Sequence, residues 1–214
     1  MKELPKRIFV AGTGTGVGKT IVSSILVEAL HADYWKPVQC GNLENTDTQI
    51  VQSLVSNHVS KFYVEAYKFK TPSSPHYAAE LENTAISPEQ FTVPESQIRI
   101  LIEGAGGLMV PLSKDYLGID LIKHLKASVI LVSKNYLGSI NHTLLSIEAL
   151  KQRGIDVLGI IFNGKNYFDN EEIIQHFTHI PVIDEIEKAD LIDKQFVKTQ
   201  ALKLRDSLSK YYEL

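Results

Sequence analysis

The sequence predicts a doubly wound α/β domain, a mostly parallel sheet with helices on both faces. Three observations carry this expectation. Short apolar runs recur along the chain, each followed by a segment of helical periodicity. The runs are continuous rather than alternating, the pattern of strands covered on both sides. The link between the first run and the first helix is rich in glycine, and ligands of such folds sit at the carboxyl ends of the strands.

The elements follow in order. "RIFVA" (7–11) reads as a buried strand and "KTIVSSILVEAL" (19–30) as an amphipathic helix. "DYWKPV" (33–38) is a second strand, and "TDTQIVQSLV" (46–55) has helical spacing. The segment 60–97, with "TPSSPH" at 71–76 and further prolines at 88 and 94, breaks the rhythm. It reads as an irregular excursion with a short helix near 77–82. "IRILIE" (98–103) is a strand, "GIDLIKHL" (118–125) a helix and "SVILVS" (128–133) a strand. A helix over 141–154, a strand over 156–163, a helix over 171–177 and a strand over 180–184 continue the alternation. The tail 198–212 closes as a helix. No repeat or linker divides the chain, so residues 1–214 form one domain.

Composition narrows the function classes. The chain has 214 residues, 44% hydrophobic and 22% charged, with a net charge of −3 and dispersed Lys and Arg. That balance argues against a nucleic-acid or membrane partner. A single cysteine, Cys40, permits no internal disulfide and fits a reducing, cytoplasmic location. The apolar run near the N-terminus is too short for a signal peptide or a membrane span.

The glycine-rich link is "GTGTGVGKT" (12–20). The usual phosphate-binding loop has Gly, four residues, then Gly-Lys-Ser/Thr. Counting back from Gly18 reaches Thr13, so measured from Gly12 the loop is one residue longer than that rule allows. The strand–loop–helix context still supplies inward-turning N–H groups and a helix N-terminus for an anion. Lys19 can reach terminal phosphates and the Thr20 hydroxyl can bind Mg²⁺. The dinucleotide pattern G-x-G-x-x-G fails on spacing and leaves Lys19-Thr20 unexplained. The fold class is therefore P-loop NTPase-like.

Other strand ends carry polar residues with two readings each. Lys36 in "WKPVQCG" is either a solvated surface lysine or a partner of Lys19 across an anion. Asp47 in "NTDTQ" is explained by a capping box of Thr46 and Gln49, and equally by a Mg²⁺ site. Glu103 in "ILIEGAGG" either tips a tight turn into solvent or sits at a buried strand end against a cation. Asn163 ends a strand before Gly164, as a turn residue or as a contact for a purine edge. The histidines have no metal-ligand spacing, and Cys40 lacks the companions of a thiol nucleophile.

Taken together, "GTGTGVGKT", "WKPVQCG", "NTD", "TPSSPH", "EGAGGLMVPLS", "NYLGSINHT" and "FN" occur in the order and spacing of dethiobiotin synthetases. The resemblance covers about residues 7 to 187. It implies an ATP- and Mg²⁺-dependent cyclo-ligase that closes a ureido ring from 7,8-diaminononanoate and CO₂ through a carbamic–phosphoric anhydride. It implies that Gly16, Val17, Gly18, Lys19 and Thr20 cradle the phosphates, and that Gly104, Ala105 and Gly106 adjoin the nucleotide. Thr20, Asp47 and Glu103 resemble the Mg²⁺ set, and Lys19 with Lys36 the catalytic pair around carbamate and phosphoryl group. Asn163 with Pro181, Val182 and Ile183 resembles the adenine contacts. Thr15, Lys36 and Cys40 are similar to substrate contacts, as are Tyr136, Leu137, Gly138 and Asn141, supplied by the partner chain of a homodimer. The departures are Cys40 where the family has Ser or Thr, Gly16 where some members carry an acid, and Asp184 and Glu187 where Gly and Pro are common. The alternative function is a switch-type ATPase that dimerises on nucleotide and engages a protein partner.

Overall fold

The computed structural model describes residues 1–164 and 169–214. Seven parallel strands form the central sheet: β1 (Arg7–Gly12), β2 (Asp33–Trp35), β3 (Phe62–Tyr63), β4 (Ile100–Glu103), β5 (Ser128–Lys134), β6 (Val157–Asn163) and β7 (Val182–Ile186). Their spatial order is β7-β6-β5-β1-β4-β2-β3. After β1 the chain winds toward β2 and β3, and after β4 it crosses to the other half through β5. The carboxyl ends of β1 and β4 therefore meet where the winding reverses, the place where such sheets hold their ligands.

Along β1, Ile8 and Val10 enter one core and Phe9 and Ala11 the other, the period-2 division of a strand covered on both faces. Helices α1 (Lys19–Leu30), α2 (Asp47–Leu54) and α7 (Lys194–Ser209) bury Ile25, Val51 and Leu204 on the first face. Helices α3 (Pro75–Leu81), α4 (Gly118–His124), α5 (Ser139–Gln152) and α6 (Asn170–Thr178) bury Ala78, Ile122, Ile147 and Ile174 on the second. Each large aliphatic chain so buried contributes about 1.5–3 kcal/mol.

Several expected elements are drawn differently. The strand expected over 33–38 is broken. Asp33–Trp35 pairs in the main sheet, whereas Val38–Cys40 pairs with Tyr67–Phe69 in a separate two-stranded sheet. Pro37 has no N–H for the ladder, and Lys36 turns inward. The excursion 60–97 supplies the edge strand β3, and its helix begins at Pro75, where a missing N–H costs nothing. Helix α7 starts at Lys194 because the Asp193 side chain accepts the Phe196 N–H at 2.8 Å. Strand β7 runs two residues later than expected. Lys2–Glu3 pairs in parallel with Tyr212–Glu213. No helix among the described residues is long and apolar enough to cross a membrane.

Candidate active site

The loop Gly12–Lys19 closes over the carboxyl end of β1. Gly18 sits at φ +95°, and a Cβ there would lie 1.8 Å from Asn163 Nδ2, so only glycine fits. The Asn163 amide donates to the Val17 carbonyl at 2.9 Å, and the Thr13 N–H to the Val132 carbonyl at 3.0 Å. The loop is thus tied to β5 and β6. Because Gly18 offers no capping side chain, the first N–H groups of α1 stay available to an anion.

Lys19 reaches back over the loop. Its Nζ donates to the Gly14 carbonyl at 3.1 Å and to the Gly106 carbonyl at 2.8 Å. The lysine joins the phosphate loop to the glycine turn after β4. Burial pushes its pKa down to about 8; Lys36 adds to the fall, and Glu103 and Asp47 oppose it.

Four elements bring the charged cluster together. Glu103, at the tip of β4, is 1% exposed. Its Oε1 accepts from Thr20 Oγ1 at 3.1 Å and from Lys36 Nζ at 3.0 Å, and its Oε2 from Tyr34 OH at 2.9 Å. Asp47 Oδ1 accepts from Thr20 Oγ1 at 3.0 Å, and its Oδ2 pairs with Lys36 Nζ at 2.8 Å. Burial works against the Lys36 charge, but Glu103 and Asp47 outweigh it and hold its pKa above the ordinary lysine value. Two of its three ammonium donors serve these carboxylates, which leaves one. Asp47 also completes the sequence expectation for α2. The capping box of Thr46 and Gln49 is formed, and the Asp47 N–H donates to Gln39 Oε1 at 3.3 Å. The capping box thus leaves the Asp47 carboxylate free to meet Thr20 and Lys36.

These groups line a cleft of about 750 Å³ with Thr15, Gly16, Cys40, Ala105 and the segment Pro72–Pro75. Burial pushes the Cys40 thiol up to about 11, with Lys36 pulling the other way, so it stands protonated at neutral pH. Gly104 backs the wall where a Cβ would come within 2.7 Å of the Phe9 ring. Thr20, Asp47 and Glu103 present a hydroxyl and two carboxylates. This all-oxygen set suits Mg²⁺, which keeps several waters and shares phosphate oxygens. Among the described residues no three His, Cys, Asp or Glu gather as a protein-only metal cage.

Two groups of expected residues lie elsewhere. Tyr136, Leu137 and Gly138 lead into α5 and Asn141 lies in its first turn, and none lines the cleft of its own chain; Leu137 is 89% exposed, and Tyr136 OH bonds His142 Nδ1 at 2.5 Å. Pro181, Val182 and Ile183 are the second group, and the register corrects the expectation. Asn163 pairs with Ile186, while Ile160 pairs with Val182 and its N–H is taken by Pro181. Pro181–Ile183 therefore stand at the amino side of β7, with Ile183 in the core, and it is the chain after Ile186 that adjoins Asn163. Sequence reasoning also passed over Gln39 and Tyr34. Gln39 lay inside a quoted motif, whereas nothing in a lone buried tyrosine signals its carboxylate partner.

Fold and site together define a P-loop nucleotide-binding protein of the doubly wound α/β class. The protein-family profile described as "AAA domain" matches residues 6–195. An ATP-dependent dethiobiotin synthetase of Christiangramia forsetii is 50% identical over 205 residues, 96% of this chain and 99% of the relative. Another, of Rhodopseudomonas palustris, is 48% identical over 167 residues, 78% of this chain and 79% of the relative. Among solved structures, the cell division ATPase MinD of Pyrococcus furiosus matches with a TM-score of 0.59 at 15% identity, covering 96% of this chain and 99% of that one. A ParA family ATPase of Chlorobium tepidum matches with a TM-score of 0.54 at 15% identity, covering 96% and 93%. Those two share the fold alone. The chain belongs to the dethiobiotin synthetase family.

Proposed function

We propose that this chain is an ATP-dependent dethiobiotin synthase acting on 7,8-diaminononanoate and CO₂. The observation that supports it best is the convergence of Lys19, Lys36, Thr20, Asp47 and Glu103 on one cleft beside a phosphate loop. One substrate amine adds to CO₂ and loses a proton, giving a carbamate. A carbamate oxygen attacks the γ-phosphorus, and ADP leaves. The second amine then attacks the activated carbonyl carbon, and phosphate leaves as the ring closes. Two anions must approach each other in the middle step. Lys19 and the α1 N-terminus would hold the phosphates, and the free donor of Lys36 would hold the carbamate. Such catalysis rests on positioning and charge stabilisation.

Thr20, Asp47 and Glu103 would hold Mg²⁺, which when bound neutralises phosphate charge. Asn163 and the chain after Ile186 would meet the base. Cys40 and Thr15 would face the diamine. Tyr136, Leu137, Gly138 and Asn141 fit a substrate contact supplied across a homodimer, since they are exposed and leave their own cleft open. A cytoplasmic location, with neither nucleic acid nor membrane as partner, agrees with the charge balance.

Phosphate release from ATP tests the proposal. It should require diaminononanoate and bicarbonate together, and mass spectrometry should find dethiobiotin. Equal hydrolysis without the diamine would refute it.

A further inference from the structure

We propose that Tyr34 is a positioning residue for the reaction, its buried hydroxyl fixing the plane of the Glu103 carboxylate so that one oxygen faces the cleft. The inference rests on the reading of Glu103 as a Mg²⁺ ligand. Tyr34 lies in β2 and pairs with Leu101, two residues before Glu103 in β4. Leu101 and Glu103 therefore point to the same face as Tyr34, and the phenol reaches one row diagonally toward the cleft.

Glu103 is nearly inaccessible, and its terminal torsion is intrinsically broad and two-fold. Thr20 and Lys36 both bind Oε1. Both are shared with Asp47, so neither is dedicated to fixing the plane of the Glu103 carboxylate. Tyr34 is the sole hydrogen-bond partner of Oε2 among the described residues. Its ring is fully buried and tilts against Phe62 with centroids 6.3 Å apart, so the hydroxyl has little freedom. A neutral donor also leaves the charge balance of the cluster unchanged, which a lysine or arginine in the same place would not. Without the hydroxyl, a buried carboxylate oxygen is left unpartnered, and rotation becomes the means of relieving it.

Tyr34→Phe removes this bond at nearly constant shape. Mn²⁺ binding in the presence of ADP, followed by electron paramagnetic resonance, is the primary readout. The affinity should weaken about 10- to 100-fold, and turnover should fall by a similar factor with the KM for the diamine unchanged. Unchanged Mn²⁺ affinity and turnover, with only a lower melting temperature, would overturn the inference and leave a structural role. Glu103→Gln is measured beside it. If that substitution leaves Mn²⁺ binding intact, the metal assignment falls and the inference with it. If Glu103→Gln weakens binding and Tyr34→Phe does not, the inference alone falls. Should Tyr34→Phe not yield folded protein, Phe62→Leu, which loosens the ring without touching its hydroxyl, is titrated in the same way. A weakened Mn²⁺ affinity there supports the role, and an unchanged one overturns it.

Discussion

Replacing Lys36 by methionine separates what this residue does for the fold from what it does for the reaction. In the wild-type chain its ammonium lies 2.8 Å from Asp47 and 3.0 Å from Glu103. Methionine fills much of the same space and leaves two carboxylates facing each other. Removing one member of a buried ion pair costs about 3–5 kcal/mol. The Asp47 side chain is 28% exposed, so water relieves part of its share, which places the loss near the lower end, at about 3 kcal/mol. For a chain of this size each kcal/mol shifts the melting temperature by about 2–4 °C, so a fall of about 6–12 °C is expected in chelator. Millimolar MgCl₂ should return more stability to the variant than to the wild type, because a divalent cation supplies the charge that was removed. Turnover should fall far more than ADP affinity. Thermal unfolding with and without Mg²⁺ near neutral pH, together with an ADP titration, reads all three. A variant that melts with the wild type in chelator, or gains no more from Mg²⁺ than the wild type does, would refute the account of Lys36 as the resident cation between two buried acids.

The Lys19 pKa of about 8 sets a pH window. The folded chain releases that proton near 8 and the unfolded chain near 10.5, so between these values the unfolded state binds more protons. The Lys19 contribution to ligand-free stability therefore rises with pH across the window. Unfolding at stepped pH should show a slope that Lys19→Met reduces. ADP binding near the lower edge of the window should draw in protons, read by calorimetry in two buffers of different ionisation enthalpy; no uptake would contradict the assignment. Gly18→Ala should cost about 1–2 kcal/mol from the left-handed backbone alone and should also push Asn163 off the Val17 carbonyl. ADP affinity should drop at least about tenfold, and an unchanged affinity would show that the loop can be rebuilt around a methyl group.

The helices and inner strands were legible because burial on both faces writes itself into composition. Ile100, Leu101 and Ile102 need no context to be read as a core strand, and Glu103 after them stands out because a carboxylate at that depth is expensive. The break at Pro37 was legible in principle, since a proline rarely sits inside a ladder, but the pull of two carboxylates on Lys36 was not. The edge strand Phe62–Tyr63 is too short to carry a period. Register was the hardest part. Whether Val182 or Ile186 stands level with Asn163 depends on how β6 and β7 slide past each other, and a bulge between Ile160 and Ile161 adds to the shift. No local property of the segment 180–187 fixes that offset. Tyr34 illustrates a second kind of invisibility, for a buried tyrosine reads as apolar filling until the partner of its hydroxyl is known.

The pairing of Lys2–Glu3 with Tyr212–Glu213 has a practical consequence. Lys2 and Tyr212 also tie to Asp156 and Leu158 at the start of β6, so both extremities lie on the floor of the molecule, across the sheet from its mouth. Cargo grafted at either extremity, whether a tag or a second enzyme, would hang below without obstructing entry. A short tether joining the two would let the chain be reopened at a surface loop, with every wall of the cleft still standing.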